Sequence, residues 1–184
     1  MALRQLKTLK ESGYFGLYRG EVVDNKDPLK SGRVKIKVYG IYDGIAKQDI
    51  PWAPPLTPYG GGPKNSYGSV YIPRIGSIAY VMFDGGEVSA PVFMGASPMK
   101  SMIPAEINTP NKHMVIKTTR GSKIYVFEEE DGGIQIASAD GHLIELDDVN
   151  GRLRLRDRSG SVISMENGDI IIQAKRNIHL NPGS

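Results

Sequence analysis

The sequence of 184 residues contains no cysteine. Disulfide bonds and thiolate metal sites are therefore excluded. Long apolar runs are also absent, and no segment approaches the roughly 20 consecutive apolar residues that a membrane-spanning helix needs. Near the amino end, Leu3, Leu6 and Leu9 are separated by polar residues, whereas a signal peptide has a continuous apolar core. The sequence therefore predicts a protein without a signal peptide.

The chain has only a small excess of positive charge, with a formal net charge of +3 at pH 7. Residues 1–95 hold 12 basic and 8 acidic residues, and the remainder holds 11 and 12. Proteins that bind nucleic acid usually concentrate positive charge far more strongly. We therefore expect no specific nucleic-acid partner.

Sequence motifs of common enzyme classes are missing. The three histidines, His113, His142 and His179, are far apart in the sequence. Neither a His-Glu-x-x-His zinc motif nor a Gly-x-Ser-x-Gly nucleophile motif occurs. We expect no enzyme activity, no catalytic residue and no cofactor.

The last third of the chain, in contrast, contains a regular series of short alternating segments. Gly141, Gly151, Gly160 and Gly168 follow one another at intervals of ten, nine and eight residues. Such spacing predicts repeated short strands joined by turns. The predicted strands are Met114–Thr118, Lys123–Phe127, Gly133–Ile136, His142–Leu146, Arg152–Arg156, Ser161–Met165, Asp169–Ile172 and Asn177–Leu180.

Each of these strands is too short to enclose a core by itself. Alternate side chains of a strand point to opposite faces, so each strand offers two or three apolar side chains inward. A β-solenoid made by one chain needs about 20 or more residues per coil, roughly twice the repeat found here. If identical chains each contribute one face, the core can close, and we therefore predict an intertwined, homotrimeric β-prism. The predicted trimer core comprises Ile124, Val126, Ile134, Ile136, Ile144, Leu146, Leu153, Leu155, Val162, Ile170, Ile172, Ile178 and Leu180.

An earlier part of the chain, residues 14–95, has the pattern of a small β-barrel. Val34, Ile36 and Val38 alternate with charged residues and are expected to face inward. Five strands with one long irregular stretch suit an OB-type barrel. The predicted strands are Phe15–Val23, Arg33–Val38, Tyr67–Ile72, Ser77–Phe83 and Ala90–Met94. The predicted fold is therefore all-β, with an N-terminal extension (1–13), an OB-fold domain (14–95), a connector (96–112) and a trimeric β-helix (113–184).

Several segments of the barrel resemble the OB domain of spike proteins from contractile tails. The resemblance lies in Asp27-Pro28, Gly32–Ile36, Pro51–Ala53, Pro73–Ser77, Val81–Glu87 and Ala90–Gly95. The family includes the baseplate central spike of phages with contractile tails and the VgrG spike of type VI secretion. Its members follow the OB domain with a trimeric β-helix, which is the order of the two parts here.

The resemblance implies a homotrimer at the centre of a phage baseplate, a tailocin or a related injection particle, assembled in the bacterial cytoplasm. The OB domain would attach to the hub or tail-tube protein. The triple-stranded β-helix would be driven through the bacterial outer envelope when the sheath contracts. Some phage spikes carry a lysozyme domain between barrel and shaft, and the connector of about 17 residues is too short to hold one.

The carboxy end departs from one pattern of the family. Some spikes end in a His-x-His pair that binds iron on the axis, whereas here His179 lacks the second histidine. Because Ile178 and Leu180 take the inward positions, His179 is expected to face outward and is a weak metal candidate. We therefore expect no bound metal, and instead a separate tip protein of the PAAR type that contacts Leu180, Asn181 and Pro182.

Several other residues have two interpretations. Trp52 could attach the barrel to the hub, or it could fill the core of its own domain. The basic row from Arg152 to Arg158 could touch phosphates or lipopolysaccharide, or it could pair with acidic residues of the neighbouring strand. As an alternative function, the barrel could bind single-stranded nucleic acid or glycan through stacking tyrosines. The candidates for that stacking are Tyr14, Tyr18, Tyr39, Tyr42 and Tyr71.

Overall fold

A computed structural model of the chain describes residues 13–58, 60–61, 67–96, 102–108, 112–127 and 132–180. Within these residues the regular elements are strands, apart from short 3-10 helices such as Asp84–Gly86 and Ala105–Asn108. The chain divides into two compact units, Met1–Met102 and Ile103–Ser184. The all-β class predicted from the sequence is confirmed.

The first unit contains a five-stranded antiparallel sheet that curls into a nearly closed barrel. Its strands are β1 (Tyr18–Asp24), β2 (Val34–Val38), β3 (Trp52–Ala53), β4 (Ile78–Phe83) and β5 (Pro91–Met94), in the order β3-β2-β1-β4-β5. The two outer strands meet through the segment after β3. There the Leu56 amide donates to the Phe93 carbonyl at 2.7 Å, and the Phe93 amide donates to the Pro54 carbonyl at 3.0 Å.

The barrel core forms where apolar side chains alternate with polar ones. Val34, Ile36 and Val38 are at most 1% exposed, which confirms their predicted inward positions. Val22 of β1 and Val81 of β4 are fully buried in the same cluster. The middle strands therefore have one apolar face, as a sheet closing on itself requires.

The third barrel strand is not the one predicted from the sequence. Tyr67–Ile72 contains no strand, and its large side chains are exposed, Tyr71 by 71%. Trp52 and Ala53 take the position beside β2, where they pair with Lys35 and Val34. Ala53 is fully buried there, so a short segment supplies the inward side chain that the edge of the barrel needs.

The second unit is a seven-stranded antiparallel sheet in which each strand pairs with its neighbours in sequence. Its strands are β6 (Lys112–Lys117), β7 (Lys123–Phe127), β8 (Gly133–Ala137), β9 (Leu143–Asp147), β10 (Arg152–Arg156), β11 (Val162–Glu166) and β12 (Asp169–Gln173). Short turns bring consecutive strands together, which favours pairing within one chain. The described ladders thus form a second sheet, and the intertwined triple-stranded β-helix stays a prediction.

The last predicted strand, Asn177–Leu180, is not a strand in the structure, and the sheet ends at Gln173. Turns at the same side of the sheet after β6, β8 and β10 place Gly121, Gly141 and Gly160 at φ values of 95° to 100°. Such backbone angles favour glycine. At the matching position after β12 the chain has Asn177, so the sequence lacks the residue that turns the earlier strands back.

Candidate functional site

Strand pairing in the second sheet places side chains of neighbouring strands next to one another, so that they form columns that cross the sheet. On one face, two central columns run through all seven strands, and every side chain in them is apolar. The first column is Ile116, Ile124, Ile136, Ile144, Leu155, Ile163 and Ile172, and the second is Met114, Val126, Ile134, Leu146, Leu153, Met165 and Ile170. We call this surface the apolar face.

No described segment of the chain covers the apolar face. Leu146 on the middle strand is 41% exposed, and Leu153 on the next strand is 37% exposed. Ile170 on the last strand is 67% exposed, whereas the barrel core is at most 5% exposed. A contiguous apolar surface of this kind marks an interaction site on a soluble protein.

Ten of the thirteen predicted core residues lie in these two columns, and three do not. Val162 lies on the opposite face, because Arg156 pairs with Val162 while Leu155 pairs with Ile163. Ile178 lies outside the strands but lines an open groove of about 680 Å³ beside Ile172. Leu180 is also outside the strands and is 83% exposed.

Four residues of the apolar face were missed by the sequence analysis: Met114, Ile116, Ile163 and Met165. In the segment Val162–Glu166 either alternate set could have faced inward. The set Ile163 and Met165 is wholly apolar, whereas the set containing Val162 also contains Ser164 and Glu166. Comparing the complete sets would have predicted the correct face.

The opposite face of the sheet carries ion pairs between strands. The Arg152 guanidinium lies 2.9 Å from the Asp147 carboxylate and 3.5 Å from that of Glu145. Arg154 lies 3.7 Å from Glu145. The Asn150 amide, with Arg152 nearby, holds the pKa of the Asp147 carboxyl below its usual range. For Arg152 and Arg154, pairing with acidic neighbours is confirmed, as expected for opposite charges on adjacent strands.

A second charged group joins the 3-10 helix before β6 to the first hairpin of the sheet. The Glu106 carboxylate accepts hydrogen bonds from Lys117 Nζ at 2.9 Å and from the Tyr125 hydroxyl at 3.2 Å. Lys123 Nζ lies 2.8 Å from the same oxygen. These donors, Lys123 foremost, hold the pKa of Glu106 well below its ordinary value. The arrangement fixes the entry of the chain into the sheet.

In the barrel, Trp52 packs within its own domain. The Lys35 ammonium lies 5.2 Å from the centre of the indole ring, and the Arg33 guanidinium lies 5.7 Å from it. Asp27 in turn accepts two hydrogen bonds from the Arg33 side chain, which keeps the pKa of its carboxyl far below normal. Trp52 is half-buried, so cation–π contacts account for its position. Its contact with a hub protein stays a prediction.

The tyrosines considered for nucleic-acid or glycan stacking do not form one exposed row. Tyr42 is 5% exposed, its hydroxyl donates to the Val88 carbonyl, and burial raises its pKa to about 12. The rings of Tyr14 and Tyr18 pack against Phe83, with centroids 5.6 and 5.5 Å away. The remaining two candidates, Tyr39 and Tyr71, are exposed.

The carboxy-terminal candidates are only partly described. His179 is exposed and lies outside the strands, while Asn181 and Pro182 lie outside the described residues. Across the described part of the chain, no group of three or more His, Cys, Asp or Glu side chains is placed to hold a metal ion. The same residues include no helix long and apolar enough to cross a membrane.

The barrel is the part of the chain that can be matched to known proteins. Residues 18–97 match the family model of the Type VI secretion system/phage-baseplate injector OB domain. The barrel is similar to an injector OB domain. The matched segment begins with β1 and ends just after β5, so it contains all five barrel strands. No curated protein matches the chain.

This match supports a relationship to the spike proteins of phage baseplates and type VI secretion systems. It indicates a structural role, and a place in a virion or injection particle. The seven-stranded sheet begins at Lys112 and lies wholly beyond the matched residues, so the match says nothing about the apolar face.

Proposed function

We propose that the chain is the central spike of a contractile injection machine and acts as a homotrimer. Its barrel attaches to the hub or tail-tube protein, and its seven-stranded sheets form the shaft that is driven through the bacterial outer envelope. The role is mechanical and includes no catalytic step or cofactor. The injector OB domain supports the setting, and the uncovered apolar face supports the assembly.

The observation that carries the proposal is the apolar face, with its fourteen side chains in two unbroken columns. Full burial of one large aliphatic side chain contributes about 1.5–3 kcal/mol. Since many of these side chains remain about 40% exposed, covering the face adds on the order of 10 kcal/mol per chain before the cost of association. A gain of this size favours assembly over an isolated sheet.

The width of the strands suits three copies around one axis. A five-residue strand is about 16 Å long, and this length sets the width of the sheet. If three sheets of this width form a triangle, each backbone lies about 5 Å from the central axis. Packed sheets lie about 10 Å apart, which is twice that distance, so the side chains would fill the centre. Four sheets in a square would leave an empty channel. Seven strands at about 4.8 Å spacing make a shaft on the order of 30 Å long.

At the end beyond β12, we propose that a separate tip protein of the PAAR type completes the spike, with Leu180, Asn181 and Pro182 as its contacts. The high exposure of Leu180 supports this assignment. Purified injection particles should then contain a small tip protein that co-purifies with this chain. A spike end that is bare at side-chain resolution would contradict the assignment.

Electron cryomicroscopy of injection particles from the producing bacterium tests the proposed position. We expect three copies of the barrel around the axis next to the tail tube, and a triangular prism of sheets pointing away from it. A baseplate whose axial density fits neither the barrel nor the prism would refute the spike assignment. Particles that contain the chain only at the periphery would do the same.

A further inference from the structure

The two edges of the seven-stranded sheet carry opposite charge. The turns after β6, β8 and β10, residues 118–122, 138–142 and 157–161, lie on one edge together with residues 174–177. The turns after β9 and β11, residues 148–151 and 167–168, lie on the other edge. We call these two sides, at which the strands end in turns, the basic edge and the acidic edge; they are distinct from the outermost strands β6 and β12. Each edge includes the strand residues beside its turns.

The basic edge is a regular stack of turns. In each of the three hairpins, the first residue of the turn accepts a hydrogen bond from a backbone amide four residues later through its side chain: Thr118, Ser138 and Asp157. Hydrogen bonds also join neighbouring segments of this edge at two places along the stack. Ser122 Oγ accepts from the Ala139 amide at 3.2 Å, and Ser161 Oγ accepts from the Lys175 amide at 3.1 Å. The turns therefore hold their charged residues at fixed levels along the sheet.

Basic side chains dominate this edge. Lys117 and Lys123, beside the first turn, pair with Glu106. The other basic residues of the edge are exposed, and none makes an ion pair with another described residue: Arg120, Arg156, Arg158, Lys175 and Arg176. Of the two acidic residues on this edge, Asp157 accepts hydrogen bonds from the Ser159 hydroxyl and the Ser161 amide. Asp140 is exposed.

The acidic edge has the reverse composition. Asp148 and Asp169 are exposed, and no ion pair forms between either of them and another described residue. Glu166 lies 4.0 Å from Arg152, a distance at the limit of an ion pair, and Asp147 is held by the same arginine. Residues 128–131, which link β7 to β8, lie outside the described residues.

Because turns alternate between the two edges, the charges are offset by one strand. Along the direction in which the strands stack, the turn that carries Glu166 and Asp169 lies at a height between those of Arg158 and Lys175. One strand spacing is about 4.8 Å, which a lysine or arginine side chain can reach across. At the corner between two sheets of the same height, acidic residues of one would thus meet basic residues of the other.

We propose that the basic edge of each chain pairs with the acidic edge of a second copy of the same chain, and that this pairing makes all the chains run in the same direction. This inference rests on the proposed trimer. If three sheets surround an axis that runs perpendicular to their strands and all point the same way along it, each corner joins the basic edge of one chain to the acidic edge of the next. If one chain ran in the opposite direction, like edges would meet and repel. A spike needs the parallel arrangement, since all of its barrels must face the tail tube.

The test compares full-length variants by dissociation of the assembly at low salt, about 50 mM, and at high salt, about 500 mM. Arg158→Glu with Lys175→Glu and Arg176→Glu reverses the basic edge, and Asp148→Lys with Asp169→Lys reverses the acidic edge. Each reversal alone should raise the dissociation constant of the trimer at least tenfold at low salt and less at high salt. The chain with all five changes should recover most of the loss, because unlike edges meet again.

Two controls separate this effect from general changes in charge or folding. Lys26→Glu with Arg74→Glu alters exposed barrel residues and should leave trimer dissociation within about twofold of the parent. Replacing the three basic-edge residues by glutamine removes charge without reversing it, and should give an intermediate loss.

The outcomes also separate this inference from the proposed function. A trimeric parent whose single-edge reversals have no effect, or whose combined variant shows no recovery, would overturn edge pairing and leave the trimer standing. Stronger association after reversal of the basic edge alone would indicate that like edges meet. A parent that is monomeric at all concentrations would overturn both.

Discussion

Ile163 provides the sharpest perturbation of the apolar face, because the chain offers a matched residue on the opposite face. Ile163 and Ile171 lie on neighbouring strands and are 40% and 43% exposed in the single chain. Ile163 pairs with Leu155 and Ile172 in the first column, whereas Ile171 pairs with Ser164 on the charged face. Substitution by alanine therefore removes the same atoms at nearly the same exposure from two different surfaces.

The expected magnitudes differ strongly between the two substitutions. If the sheets pack around an axis, Ile163 is fully buried in the assembly, and Ile163→Ala costs about 2–5 kcal/mol per chain. Each trimer contains three copies of the change, so its dissociation should be affected by several orders of magnitude. Ile171→Ala removes a side chain that stays half-exposed and should cost about 1 kcal/mol or less.

Urea-induced dissociation and unfolding, followed by light scattering and circular dichroism over a range of protein concentrations, measures both effects. Ile163→Ala should lower the midpoint of dissociation strongly, and Ile171→Ala should lower it slightly. Equal, small shifts for the two variants would show that the apolar face is not buried in an assembly, and would refute the reasoning.

Three further predictions concern the framework of the two units. Glu106→Gln should destabilise the second unit more at pH 7 than at pH 3, because the lowered pKa of Glu106 gives a contribution that is complete above the ordinary value of 4.5 and decreases progressively as the pH falls below it. Thermal unfolding at the two pH values measures the difference, and an equal deficit at both would contradict this assignment. Gly133→Ala should prevent normal pairing of β8 with β9, because the added methyl group would collide with the Leu146 carbonyl oxygen and φ is 144° at this position. Hydrogen exchange should then show loss of amide protection in these two strands, and native protection would contradict the prediction. Tyr42→Phe removes a buried hydrogen bond to the β4–β5 connection. It should lower the free energy of unfolding of the barrel by about 1 kcal/mol and its Tm by about 4–8 °C. An unchanged Tm would show that the bond adds no stability.

Alternation along single strands predicted a large part of this structure. Val34, Ile36 and Val38 are buried as expected, and most of the predicted core residues of the second sheet share one face. Alternation succeeds there because charged or polar residues occupy nearly every second position, so only one register keeps them in water.

The errors occur where the local pattern was ambiguous or where a distant segment decides the outcome. Tyr67–Ile72 has the composition of a strand, but Trp52 and Ala53 occupy the place beside β2. Propensity cannot predict that choice, because neighbouring strands determine which surface is buried. The error in β11 has a different origin. Val162 and Ile163 are both apolar and adjacent, and only the complete alternate sets indicate the face that the pairing with β10 shows.

The charged contacts could not be predicted from spacing either. Glu106 lies in the predicted connector, and it reaches Lys117 and Lys123, 11 and 17 residues away, only because a hairpin brings those two side chains together. Opposite charge on the two edges of the sheet becomes visible once the turns are assigned to their sides. Sequence order alone intermixes these residues and conceals the separation.

The mass of the full-length chain in solution tests the central claim most directly. Light scattering coupled to size-exclusion chromatography at micromolar concentration should give about 60 kDa, three times the 20.1 kDa of one chain. A mass near that of one or two chains, with the apolar columns still in place, would contradict the account of the sheet as one wall of a trimeric shaft.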